Sequence, residues 1–175
     1  MSWDNVTENA GGGVQMFKIE PNQSNTFHAI DGEKGPKSFH SVYFASINRG
    51  ATVDPNNNPL VGLEDGYKVK KRYALNVVDM SDGQVKVFVF GSTVANMLKN
   101  IREEYGNLDD IDIKISRKGT GLKTTYSIFP VKMKFTADMI DGQTPSNLDE
   151  VFELTSAEDI EKMVRGEDPR GSEDS

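Results

Sequence analysis

The residue types that support catalysis are scarce in this chain. Its two histidines, His28 and His40, fall in strand-like runs, and the sequence contains no cysteine, so a nucleophile–histidine pair or a thiolate metal site has no candidates. Asp109, Asp110 and Asp112 lie where a helical pattern gives way to a strand and read as a solvated turn; a cation there would need further oxygen ligands. Gly119-Thr120-Gly121 lacks the Lys-Ser/Thr pair and following helix of a phosphate-cradling loop, and reads as a hairpin tip. The expectation is a non-enzyme with no metal, no cofactor and no small-molecule substrate.

Cations and rings are better organised. Residues 67–73 (YKVKKRY) hold four cations in five positions with an aromatic at each end, and a later strand adds Lys86, Phe88 and Phe90 at alternate positions. Arg117, Lys118 and Lys123 surround the glycine-containing tip, and Tyr126 follows it. Cations along a groove neutralise a phosphate backbone, while aromatic faces stack on unpaired bases at about 1–3 kcal/mol each whatever the base. The candidate binding set is therefore Lys70, Lys71, Arg72, Tyr73, Lys86, Phe88, Arg117, Lys118, Lys123 and Tyr126. Phe39 and Tyr43, which share a strand face, could extend the platform. The competing reading puts Phe88 and Phe90 in the core, which turns Val85, Val87 and Val89 outward as an apolar stripe for something else to cover. The basic run then becomes a solubilising strand edge.

These residues need a scaffold of short strands. Apolar-rich runs at 14–20, 25–30 and 37–47 end at turn formers, and residues 48–66 carry so many turn formers that they read as a long loop. Residues 72–79 and 85–90 flank an Asp82-Gly83 turn, the clearest hairpin signal in the chain. Ser92 or Thr93 can cap a helix whose face is Val94, Met97, Leu98, Ile101 and Tyr105, ended by Gly106. Ile111, Ile113 and Ile115 alternate with polar residues as a half-buried strand, 124–129 makes its hairpin partner up to Pro130, and 131–135 could continue as a short edge strand. The pattern is mainly β with one inserted helix, which suits a Greek-key barrel of the OB type, whose strand face and loops bind oligonucleotides; a β-sandwich fits the pattern too.

The 175 residues fit one core domain at 14–140, a flexible entry at 1–13 ending in three glycines, an acidic segment with a short helix at 141–165, and a disordered acidic tail at 166–175. No apolar run reaches the roughly 18–20 residues of a membrane-spanning helix, and residues 1–9 lack the basic start and apolar stretch of a signal peptide. The net charge of -7 is unevenly placed. Residues 1–140 contain 17 Lys/Arg and 16 Asp/Glu, whereas residues 141–175 contain 3 and 11. A near-neutral body with basic clusters remains competent for a polyanion, because phosphates respond to the local potential.

Residues 71–79 (KRYALNVVD), 83–91 (GQVKVFVFG) and 112–130 (DIKISRKGTGLKTTYSIFP), in this order with a helix before the third, resemble the single-stranded DNA-binding proteins of tailed bacteriophages, distantly including the T4 type. The resemblance covers about residues 14–135. It implies an OB fold, sequence-independent coating of single strands in DNA replication, recombination and repair in the host cytoplasm, possible self-association along DNA, and an acidic C-terminal tail that recruits replication or recombination proteins. By position, Lys70, Lys71, Arg72 and Tyr73 match the T4-type segment entering the DNA groove, and Phe88 an aromatic of the next strand. T4-type members hold zinc through cysteine and histidine before the basic run; residues 48–66 contain neither, so no zinc is expected. The alternative is an OB-fold protein-interaction or DNA-mimic module without direct nucleic-acid binding, whose carboxylates would array on the folded body.

Overall fold

A computed structural model describes residues 14–56, 60 and 68–169. Within them, seven strands form one antiparallel sheet: β1 (Ser24–Ala29), β2 (Lys37–Phe44), β3 (Arg49–Val53), β4 (Lys70–Asp79), β5 (Gln84–Phe90), β6 (Asp112–Lys118) and β7 (Thr125–Val131). Strand β4 organises the rest. Its first half pairs with β2 and its last three residues with β1, while β5 pairs with residues 73–79. Because residues 73–74 and 77–79 each bond to two neighbours, β2 and β1 lie end to end along one edge of β4 and β5 takes the other.

The path β5-β4-β1-β6-β7, with helix α1 (Ser92–Tyr105) inserted between β5 and β6, is an OB-like arrangement. Phe27, Leu75, Val77, Phe88, Phe90, Ile113 and Ile115 fill its interior, closed at one end by Val94, Leu98 and Ile101 of α1. These three helix residues follow the expected period, but Tyr105, on the same stripe in the last turn, is 55% exposed. Gly91 rather than Ser92 or Thr93 is the N-cap, with no side-chain hydrogen bond, and Gly106 ends the helix at φ 93°. Pro130 lies within β7 opposite Ile113, where an edge strand tolerates a missing N–H.

Three expectations about elements change. Residues 14–20 make one parallel bridge, Met16 to Val87, in place of a regular strand; Phe17 and Ile19 are nevertheless buried. Within the expected loop 48–66, residues 49–53 form β3, because turn formers at 54–59 mark the strand's end without preventing Ala51 and Val53 from packing. Residues 132–136 form no strand: Phe135 is turned onto His28, ring centroids 3.9 Å apart. The expectations for 1–13, for Tyr67 and for residues 170–175 lie outside the described residues.

The acidic segment is a strap, packed along the sheet. Its anchors begin at Gln143, which accepts from Val85 N–H and donates to the Gly83 carbonyl, and Asn76 exchanges two hydrogen bonds with the Ser146 backbone. Helix α2 (Leu148–Val151) and Phe152 cover Phe39, Ala74 and Val87. Helix α3 (Ala157–Val164), capped by Ser156, buries Ile160 and Met163 against Val42, Phe44, Ala51 and Val53 of the β2–β3 hairpin. Beyond α3, Asp168 accepts from Arg49 Nε at 2.6 Å.

Candidate nucleic-acid interface

The two ends of the OB-like path do not meet. Between the end of β5 and the start of β7 lies a cleft of about 810 Å³, walled on a third side by residues 17–20. Arg72 enters from β4, Arg117 from β6 and Tyr126 from β7. Antiparallel pairing explains the last two: Arg117 and Tyr126 are opposite each other in the β6–β7 register. Arg72 sits one residue before Tyr73, which pairs with Phe90, so its guanidinium reaches Gly91 at the start of α1. Burial pulls the Arg72 guanidinium below its ordinary pKa, an effect partly offset by Tyr126. Arg117 Nη1 donates to the Ile19 carbonyl at 3.1 Å, while its Nε is buried without an acceptor in the protein.

The other cations divide sharply. Lys70, Lys71, Lys118 and Lys123 are exposed and, among the described residues, form no ion pair. Lys71 Nζ stands 5.6 Å from the Tyr73 ring centroid. Lys86 is occupied, donating to Asp79 at 2.7 Å and to Asp82 at 2.8 Å. Burial alone would raise the Asp79 carboxyl, but hydrogen bonds from Lys86, Ser81 and Asn25 outweigh it and hold the group below its ordinary value. Burial would likewise lower Lys86, and its two carboxylate partners raise it instead. Two of the three Lys86 N–H donors are taken and its charge is met by two carboxylates, so the group is a structural clasp closing the β4–β5 hairpin.

Phe88 is corrected as well. It is 4% exposed and packs edge-on against Phe17 and tilted against Phe27 and Phe90 at centroid distances of 4.9–5.2 Å. Such a ring forms the cleft floor and has no free face for a base. The outward stripe implied by that burial exists, and the strap and residues 14–16 cover it: Val87 and Val89 pack with Val14, Met16 and Phe152. Tyr73 is half-buried, its ring nearly parallel to Phe90 at 6.0 Å, and it lies outside the cleft wall. Of the two platform candidates, Phe39 stacks under Phe152 at 4.2 Å, whereas Tyr43 is exposed and hydrogen-bonds Asn48.

His28 and Asp112, two of the residues weighed for chemistry, are hydrogen-bonded to each other and to the backbone. His28 Nδ1 is 3.1 Å from both the Ile111 carbonyl and Asp112 Oδ1, and Asp112 also accepts the Lys134 N–H. Among the described residues no three acidic or histidine side chains gather in a metal-binding group, and no helix is long and apolar enough to cross a membrane.

No family model and no solved structure matches the chain. One curated relative does. The chain is 29% identical over 109 residues to a protein of Escherichia phage T5 named probable ssDNA-binding protein, covering 55% of this chain and 42% of that protein. The chain thus spans less than half the length of that relative.

Sequence reasoning missed two walls of the cleft. Phe17, Lys18 and Ile19 alternate apolar, basic, apolar, which was a usable signal for a polar side chain facing a groove. Ser92 and Thr93 were visible only as helix-cap candidates, because nothing local shows that the helix start faces β7.

Proposed function

We propose that the protein binds single-stranded DNA without regard to base sequence, as a bacteriophage protein that coats exposed strands during replication, recombination and repair in the cytoplasm of the host. The observation that carries this reading is the convergence of Arg72, Arg117 and Tyr126, which come from three strands, on one cleft. Lys70, Lys71, Lys118 and Lys123 extend the positive surface from the two sequence segments that supply the arginines. The likeness to the phage T5 protein supports the same ligand. Lysines and arginines hold phosphates, and the rings of Tyr126 and Tyr73 take bases after side-chain adjustment. No bond of the strand is made or broken, and the acidic end of the chain, beyond the clasped Asp168, serves protein partners.

The test is fluorescence anisotropy with a labelled poly-dT oligonucleotide at two salt concentrations, with single-stranded RNA and duplex DNA as competitors. Salt-sensitive binding that duplex fails to displace is expected. Absence of binding at low salt overturns the reading and moves a protein-interaction module to first place.

A further inference from the structure

The cleft contains a more specific feature than a positive wall. Two guanidinium groups enter it, and among the described residues neither forms an ion pair. Arg117 Nη1 is held by the Ile19 carbonyl and its Nε is enclosed with no acceptor in the protein, so the guanidinium is anchored at the cleft with no counter-charge among the described residues. A Cβ added at Gly91 would stand 3.6 Å from Arg72 Nη1, which places that guanidinium against the first residues of α1. The helix is 14 residues long, with no side-chain cap and no acidic residue in its first turn. Its Ser92 and Thr93 face the same cleft as the arginines. The opposing charge in the wall is Glu20, which is exposed at the rim.

We propose that this cleft is a seat for one nucleotide phosphate, gripped between Arg72 and Arg117 and completed by the first N–H groups of α1. The identity of the ligand rests on the single-stranded DNA reading; the anion seat itself rests on the geometry. Guanidinium forks match phosphate oxygens in pairs, and a helix N-terminus adds directed donors and a favourable dipole. Arg72 and Arg117 are half-buried whereas the lysines are exposed, so this contact is less salt-screened than those of the surface lysines. It therefore fixes the position of the strand, while the lysines contribute the salt-dependent, position-blind part of binding. The burial-lowered Arg72 agrees with a group waiting for a counter-charge.

The experiment uses the full chain labelled with nitrogen-15. Amide resonances of Ser92, Thr93 and Val94 and the Arg117 Nε–H resonance are followed during titration with inorganic phosphate, and then with dT oligonucleotides with and without a 5′-phosphate. Saturable shifts at these four groups are expected, lost in Arg72→Gln, with dT affinity about tenfold weaker in that variant. Arg117→Lys keeps the charge but loses the fork, and should recover only part of the affinity lost in Arg117→Gln. Shifts with both oligonucleotides identify an internal phosphodiester, and shifts with the phosphorylated one alone identify a strand end; each supports the seat. If dT binds by anisotropy while none of the four resonances moves with phosphate or DNA, the seat is refuted and the DNA reading survives. If phosphate moves them and dT fails to bind, the seat survives and the DNA reading falls.

Discussion

Replacing Lys86 by methionine separates a structural cation from a DNA-binding one. The side chain is 16% exposed and its partner Asp79 only 5% exposed, with N–O distances of 2.7 Å to Asp79 and 2.8 Å to Asp82. Breaking a fully buried pair costs about 3–5 kcal/mol. Here Asp79 keeps hydrogen bonds from Asn25 Nδ2, Ser81 N–H and Ser81 Oγ, and methionine preserves the aliphatic stem, so about 2 kcal/mol is expected. For a chain of this length that is roughly 4–8 °C in Tm. The pH dependence has a defined sign. Asp79 is lowered from 3.8 by the folded environment, so its contribution is complete above that value and fades as pH falls through the folded pKa. Lys86 is raised from 10.5, so its contribution is complete below that value and fades as pH rises through the folded pKa. The stability difference between wild type and Lys86→Met should be flat at neutral pH and shrink at both extremes. In the DNA assay, the slope of log affinity against log salt should not change for Lys86→Met, whereas Lys118→Ala should reduce it by about 0.7. A Lys86→Met protein with wild-type Tm and a slope reduced by about 0.7 would refute the clasp and restore Lys86 to the interface.

Phe88→Ala should cost about 3–5 kcal/mol in denaturant unfolding, since the ring is enclosed by Phe17, Phe27 and Phe90, while Tyr126→Ala should spare most of the stability and weaken dT binding several-fold. Phe152→Ala should destabilise by a similar 3–5 kcal/mol, because it removes the ring stacked on Phe39; thermal melts distinguish this from a dispensable tail, which would leave Tm unchanged. Gly119→Ala adopts a strained φ of 81° and puts Cβ 2.4 Å from the Lys123 carbonyl oxygen, so the tip must move, and dT affinity should fall with little change in far-UV circular dichroism.

Local chemistry determined most of the elements. The Asp82-Gly83 turn, the Val94-Leu98-Ile101 period and the Ile113-Ile115 alternation depend on residues a few positions apart, and the sheet and α1 follow them. The basic runs at 70–72 and 117–123 were equally legible, because charge is carried by residue type. What the sequence left open was which face each element turns inward. Phe88 fits a base platform and a core equally well by alternation, and only the arrival of Phe17 and Phe27 from distant segments buries it. Lys86 reads as a free cation until β4 brings Asp79 beside it. The acidic segment at 141–165 showed only a short helix by its sequence, and Leu148, Phe152, Ile160 and Met163 find apolar sheet faces that exist only after β2, β3, β4 and β5 have paired. The cleft is the strongest case. Arg72 and Arg117 are 45 residues apart in the chain, and their approach to one cleft depends on the gap left between β5 and β7, a consequence of long-range strand pairing that no local pattern encodes.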